Sequence, residues 1–257
     1  MRIFLIILAV VTIFVLILVL LAIGAGAMFS RNSRVADPAQ AKLNGQEMIK
    51  NAKVVVAVGA HPDDLEYYTG GTLGTLAAAG KKVIGVTTAD LSVIQATRRA
   101  EGTKAAHILG YTPIFLGHAE RDYKGSRGLS EKDRREIRAE VLAIIKKYHA
   151  DTVIAYDSAD QAPLYHHVDH IRTGVEAQAA ARAAGVKQVY LYSSGEPNTQ
   201  VDTTSVQAKK AKAIAAHVSQ QNRGLIKALR IVFGWLPMAR PGGGAPGLSS
   251  TESFRKL

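Results

Sequence analysis

Five short runs rich in β-branched and aromatic residues recur along the chain: VVVAV (54–58), KVIGVTT (82–88), PIFLG (113–117), TVIAY (152–156) and QVYLY (188–192). Helix-compatible stretches fill the gaps. YYTGGTLGTLAAAG ends on Gly80, QATRRAEGTKAAHILG ends on Gly110, Ser130 opens a stretch reaching about His149, and another follows His170. Nearly continuous apolar strands alternating with helices predict an α/β, Rossmann-like, mostly parallel sheet with helices on both faces and right-handed crossovers. Ligands of such sheets bind at the carboxyl ends of the strands. That rim is where His61-Pro62-Asp63-Asp64, Thr87-Thr88-Ala89-Asp90 and Tyr156-Asp157-Ser158 fall.

Ahead of this pattern lies IFLIILAVVTIFVLILVLLAIGAGA (3–27), with no charge between Arg2 and Arg31. At about 1.5 Å per residue it is long enough to cross a hydrocarbon core of roughly 30 Å. A cleaved signal peptide ending at Ala25-Gly26-Ala27 is the rival. The run exceeds the roughly 7–15 apolar residues of an ordinary signal core, which favours a retained anchor. The expected organisation is a transmembrane anchor (1–27), a linker with a short helix (28–52) in which Asp37-Pro38 opens a helix reaching about Asn51, and one domain over 53–257. Arg31, Arg34, Lys42, Lys50 and Lys53 follow the span, against Arg2 alone before it. The positive-inside tendency therefore leans toward a single-pass membrane protein with its C-terminal domain on the cytoplasmic side. A second apolar stretch, LIKALRIVFGWLPMA (225–239), reads as packing on the domain core, with a membrane contact as its alternative.

The chain has no cysteine, so a metal site would have to use His, Asp or Glu. Its net charge of +11 is spread over helix faces such as KDRREIRAEVLAIIKKYH, without aromatic interleaving or a nucleic-acid motif. A solvated basic surface is expected, with no nucleic acid and no protein partner.

The chemistry concentrates at two places. Pro62 keeps His61 out of helical angles, so the chain leaves the first strand extended and turns at the two aspartates. His61 and Asp64 then converge while Asp63 points elsewhere. The second cluster is Tyr165-His166-His167-Val168-Asp169-His170, where His167 and His170 stand three apart on a first helical turn. Two imidazoles and a carboxylate around an open position suit Zn²⁺ in a hydrolytic site, giving His61, Asp64 and His170 as candidate ligands. Asp63 is the candidate general base for a metal-activated water. His167 and the Tyr165 hydroxyl are candidate donors to the developing oxyanion, and Asp169 a carboxylate that orients one of the histidines. A turn with an Asp helix cap would explain His-Pro-Asp-Asp alone, but not its pairing with the second cluster. His107, His118, His149 and His166 fit no such geometry and read as core or surface histidines.

AHPDD (60–64) with HHVDH (166–170) resembles the LmbE/PIG-L family of zinc-dependent de-N-acetylases, and the resemblance runs through most of 53–257. Arg98-Arg99-Ala100-Glu101 before Leu109-Gly110, Lys212 with His217-Val218-Ser219-Gln220, and Glu252-Ser253-Phe254 match further family elements in order. The resemblance implies zinc on His61, Asp64 and His170, Asp63 as base, and Tyr165 and His167 stabilising the tetrahedral intermediate. It makes Arg98 a substrate contact, against an alternative ion pair with Glu101. Val168 stands in place of the usual proline, and Ala89-Asp90-Leu91 in place of the usual Asp-Gly or Asn-Gly after the second strand, which leaves substrate identity open.

The function expected is a membrane-anchored hydrolase that removes the N-acetyl group from an N-acetylglucosamine-type glycolipid or glycoside. A non-catalytic sugar-phosphate or nucleotide-binding protein at the membrane is the alternative. It would need a Gly-rich first loop, and here Asp63, Asp64 and Glu66 stand instead.

Overall fold

A computed structural model describes residues 12, 35–121, 124, 126–159, 167–221 and 250–257. Strands β1 (Val54–Gly59), β2 (Lys82–Leu91), β3 (Thr112–Ala119), β4 (Thr152–Tyr156), β5 (Gln188–Tyr192), β6 (Thr199–Asp202) and β7 (Thr251–Lys256) form one sheet in the order β3-β2-β1-β4-β5-β7-β6. The five strands expected from the sequence are the five parallel ones. The helices are α1 (Pro38–Asn51), α2 (Asp64–Ala78), α3 (Gln95–Leu109), α4 (Glu131–Tyr148), α5 (Val168–Ala183), α6 (Gln207–Ala216) and the short α7 (Val218–Gln221).

Alternation along β1 divides the interior into two layers. Val55 and Ala57 pack with Met48, Leu65, Leu73, Leu76, Leu109 and Ala213 from α1, α2, α3 and α6. Val56 and Val58 face the opposite way, with Ile137, Val141, Ile145, Ala177 and Ala181 from α4 and α5. Chain order reverses between β1 and β4, so the crevice at their carboxyl ends is the switch point where such sheets take ligands.

The sequence signals for helix ends act as expected. Asp37 accepts from the Gln40 N–H at 3.0 Å, Ser130 forms a reciprocal capping box with Asp133, and Gly110 closes α3 with φ +90°.

Four details differ from the sequence-based expectations. β2 runs on to Leu91, so Ala89-Asp90-Leu91 are its irregular last residues rather than a following loop. Asp90 is fully buried and accepts from Gly117 N–H at 2.7 Å and from Arg99, which ties β2, β3 and α3 together. The terminal Thr251–Lys256 is a strand inserted antiparallel between β5 and β6, not a tail. α5 begins at Val168 rather than after His170, which puts His170 on the first helical turn that its spacing from His167 predicts. α1 packs closely on β6, with the position of a Gly45 Cβ only 1.8 Å from the Gln200 carbonyl oxygen, so the folded body includes Pro38–Asn51. Among the described residues no helix is long and apolar enough to cross a membrane. The run 3–27, Thr12 apart, and the stretch 225–239 lie outside the described residues.

Gly174 brings α5 against β4, since a Cβ there would meet the Tyr156 carbonyl oxygen at 2.6 Å. Gly174→Ala is expected to destabilise the fold by about 1–3 kcal/mol through overpacking, read as a lower denaturation midpoint with unchanged m.

On the far side of β3, His118 bridges Asp133 at 3.2 Å and Glu140 at 2.8 Å. Burial opposes its charge, but the two carboxylates win and raise its pKa; Asp133 is lowered, against its own burial, by Ser130 and His118. The His118 contribution is complete below its unfolded pKa near 6.5 and fades as pH rises through the raised folded value. The Asp133 contribution is present above its unfolded pKa and fades as pH falls through the depressed one. His118→Gln is therefore expected to flatten the decline of thermal stability on the alkaline side of pH 6.5, measured as melting temperature against pH.

Candidate active site

β1 delivers His61 at its carboxyl end, and the chain turns at once into α2. The turn is held by Asp64, whose Oδ2 accepts from the N–H groups of Ala60 at 3.0 Å and His61 at 2.8 Å. From across the switch point, the first turn of α5 presents His167, Asp169 and His170. His61, Asp63, Asp64, Asp169 and His170 are all buried.

Three atoms form a compact triangle. His61 Nδ1 lies 3.2 Å from His170 Nε2, His170 Nε2 lies 3.2 Å from Asp64 Oδ2, and His61 Nδ1 lies 3.6 Å from that same oxygen. Ligands about 2.0–2.1 Å from a tetrahedral zinc stand about 3.3–3.4 Å apart. The donor set and its spacing therefore fit a small divalent cation. His167 sits at the edge, its ring stacked on His170 with centroids 4.7 Å apart and edge-on to His61 at 4.5 Å. One ring nitrogen from each of the three histidines falls within a 4.8 Å group, so a three-histidine set is also within reach. The Asp64 triangle is tighter and carries the negative charge a dication needs.

Asp169 fixes the orientation of His61. Its Oδ1 accepts from Leu129 N–H at 3.0 Å and its Oδ2 from Arg121 N–H at 2.9 Å, while Oδ2 stands 3.2 Å from His61 Nε2. With Nε2–H donated to Asp169, the Nδ1 lone pair faces the triangle, the arrangement common to metal-binding histidines.

The charges agree with that geometry. Burial works against a charged His61, yet hydrogen bonds to Asp169 and Asp64 raise its pKa to about 10. Asp64 is held well below the usual carboxylate range despite its own burial, by His170 and His61, and Asp169 is lowered against its burial mainly by His61. Two carboxylates thus demand positive charge at this point, and a proton on His61 meets part of that demand. Burial, then repulsion from His61 and His170, lowers His167 to about 4, so its ring is neutral near pH 7.

Asp63 stays out of the triangle. Its backbone has φ +140° and ψ −20°, and its Oδ1 lies 4.0 Å from Arg98 Nη2. Arg98 does not pair with Glu101. It is only 5 % exposed, forms its ion pair with Glu120 at the end of β3, and donates to the Pro62 carbonyl at 3.2 Å. Tyr165 and His166 lie outside the described residues.

Sequence reasoning missed the groups beneath and beside this centre. Tyr68, Tyr156 and Tyr192 pack against one another, and the rings of Tyr156 and Tyr68 contact His170 at 5.3 and 6.1 Å. Glu66 accepts from the Tyr111 hydroxyl and meets His217 Nε2 at 3.3 Å. Its place in the first turn of α2, directly after Asp63 and Asp64, was the one available signal. The buried lysine of the late motif is Lys210, paired with Glu252 at 2.7 Å, while Lys212 is exposed. Glu252 also accepts from the Gly71 and Thr72 N–H groups, which holds β7 against α2.

The chain is thus a doubly wound α/β protein with a histidine–carboxylate cluster at its switch point and a further carboxylate beside it, a donor set able to hold a small cation. Residues 56–181 match the family described as PIG-L: GlcNAc-PI de-N-acetylase. It is similar to the diacetylchitobiose deacetylase of Thermococcus kodakarensis, with 28% identity over 205 residues covering 68% of this chain and 72% of that protein. It is 30% identical over 167 residues to the 1D-myo-inositol 2-acetamido-2-deoxy-alpha-D-glucopyranoside deacetylase of Mycobacteroides abscessus, covering 54% of this chain and 58% of that one. Among solved structures, N,N'-diacetylchitobiose deacetylase from Pyrococcus horikoshii, complexed with its inhibitor MPG, matches with a TM-score of 0.62 and 26% identity, over 83% of this chain and 86% of that one.

Proposed function

We propose that this chain is a zinc-dependent N-deacetylase that hydrolyses the acetamide of an N-acetylglucosamine-type glycoside or glycolipid. The observation that carries it is the His61–Asp64–His170 triangle at the switch point, with Asp63 next in sequence but outside it. The deacetylase relatives add the bond type and the amino-sugar class. His61, Asp64 and His170 would hold the zinc. When bound, zinc polarises the amide carbonyl and acidifies water.

The remaining work falls to the chain. The Asp63 carboxylate takes the proton of the attacking water and returns it to the leaving amine. One carboxylate can serve both transfers where it stays within hydrogen-bond reach of the same reacting centre. His167, neutral at pH 7, can donate an N–H to the oxygen that becomes negative, and Tyr165 is proposed as a second donor. Asp169 keeps His61 in the tautomer that offers Nδ1.

The direct test is acetate release by the full-length chain, loaded with zinc, from N-acetylglucosaminyl lipids and glycosides. Stoichiometric zinc and turnover lost on chelation are expected, and full activity in metal-free protein would refute the assignment.

We extend the proposal to a single-pass membrane location through residues 3–27, with the catalytic domain toward the cytoplasm. This rests on the apolar run and the following Arg31, Arg34 and Lys42. The expected result is fractionation with membranes and resistance to alkaline carbonate extraction, lost on deleting 3–27; release by carbonate would reject the anchor.

A further inference from the structure

The two edges of the sheet carry opposite charge. Lys50, Lys53, Lys81 and Lys82 gather where α1 and α2 end and β1 and β2 begin, and Lys146, Lys147, Arg182 and Lys187 where α4 and α5 give way to β4 and β5. All are exposed except the half-buried Lys81. Asp151 is the one carboxylate in these four connections, and it accepts from the Lys53 N–H at 3.1 Å and the Thr152 hydroxyl at 2.9 Å. At the opposite edge the carboxyl ends of β1 to β4 carry Asp63 with Asp64, Asp90, Glu120 and Asp157, the last three paired to Arg99, Arg98 and Arg255.

The preference of helix ends for cations does not account for the basic edge. That preference acts within the last turn, and Lys53, Lys82 and Lys187 lie beyond the helices. Elsewhere the chain neutralises its cations. In the first half of α4, Lys132, Arg134, Arg135 and Arg138 all pair with glutamates of α4 or with Glu176. Lys146 and Lys147, in the last turn of the same helix, form no ion pair with the described residues. Instead Lys147 and Lys82 converge on the Tyr148 ring, 5.5 and 4.7 Å from its centroid. Crowded like charges repel one another, and an anionic surface relieves that repulsion. The four strands are adjacent in the sheet, so the cations spread over a face about 14 Å wide at about 4.8 Å per strand. A broad, lysine-rich face whose Tyr148 ring is covered by lysines, not open to stack a base, suits phospholipid head groups better than nucleic acid.

We propose that the amino edge of the sheet is a docking surface for an anionic phospholipid bilayer, with the crevice at the opposite edge turned toward the solution. The carboxylates at that opposite edge disfavour the reverse orientation. An anchor at 3–27 is compatible with this arrangement, because the ten residues 28–37 reach about 33 Å when extended and α1 is about 21 Å long. The docking itself needs only the charge, so it goes beyond the anchor and stands without it.

The chain has no cysteine, so one introduced thiol takes a fluorophore at a single place. The test labels full-length Ala183→Cys, at the amino edge, and Val93→Cys, at the carboxyl edge, both at exposed positions. Each is reconstituted in phosphatidylcholine vesicles with or without phosphatidylserine, and quenching by a nitroxide on the lipid head group is read. With phosphatidylserine, quenching at 183 should exceed that at 93 severalfold. The contrast should vanish in phosphatidylcholine alone and in about 1 M salt, where charges are screened beyond about 3 Å. At about fivefold per lysine, Lys82→Gln/Lys147→Gln/Lys187→Gln should weaken the docking about 100-fold and remove the contrast as well. The lipid and salt arms need no such variant, so they decide even if it does not fold. Stronger quenching at 93, equal quenching at both, or quenching indifferent to phosphatidylserine and salt would overturn the proposal. So would a duplex DNA oligonucleotide that binds with steep salt dependence while phosphatidylserine has no effect. Should alkaline carbonate release the chain, the anchor fails and co-sedimentation judges the edge. Binding to phosphatidylserine vesicles and not to phosphatidylcholine then supports the docking surface, and binding to both alike or to neither rejects it.

Discussion

Asp63→Asn is expected to lower acetate release by about 100- to 10,000-fold while leaving bound zinc at the wild-type level, the range typical for loss of a general base. The reason is the division between adjacent aspartates. Asp63 is excluded from the His61–Asp64–His170 triangle and faces Arg98 instead, so removing its charge does not remove a metal donor. Asparagine keeps the shape and the turn but cannot accept a proton at neutral pH. Zinc measured by atomic absorption beside initial rates separates the two effects, and loss of metal in this variant would reverse the assignment.

Asp64→Asn is expected to do the opposite and empty the site. Its carboxylate supplies the negative charge of the triangle and also closes the β1–α2 turn by accepting from Ala60 and His61. Asparagine can still accept those two N–H bonds, so the turn survives. Without the charge, zinc affinity should fall more steeply than the roughly 10- to 100-fold seen when a group merely supporting a ligand is lost. Ligand-linked stability should go with it. Zinc at a thousand times its Kd adds about 4 kcal/mol to folding, worth about 10 °C in Tm for a domain near 200 residues. The wild type should show that shift on zinc addition and Asp64→Asn should not. An equal shift in both proteins would remove Asp64 from the ligand set.

The strands most legible in the sequence were the ones buried on both faces. VVVAV, TVIAY and QVYLY carry their positions in composition alone, because a central parallel strand needs β-branched and aromatic residues on both sides. β6 and β7 escaped notice for the opposite reason. TQVD and TESFRK carry polar residues, and they are strands because the sheet edge beyond β5 offers unpaired backbone groups and Glu252 is drawn in by Lys210 and two helix N–H groups. The end of β2 was misjudged because Asp90 reads as a turn residue, yet it is buried as the acceptor that joins three elements.

For the site, His61, Pro62, Asp63 and Asp64 were legible because they are contiguous, and a proline-directed turn after a strand leaves few ways to arrange them. His167, Asp169 and His170 were legible because helical spacing places them on one turn. Local chemistry thus determined the candidate residues and the separation of Asp63 from Asp64. What only the tertiary structure decided is which groups from different elements meet: His61 with Asp169 and His170, Arg98 with Glu120 instead of Glu101, and His217 with Glu66. An arginine three residues from one carboxylate and 22 from another carries no local sign of which it will choose. Packing of α3 against the end of β3 makes that choice, because burying a charge is tolerable only beside its opposite.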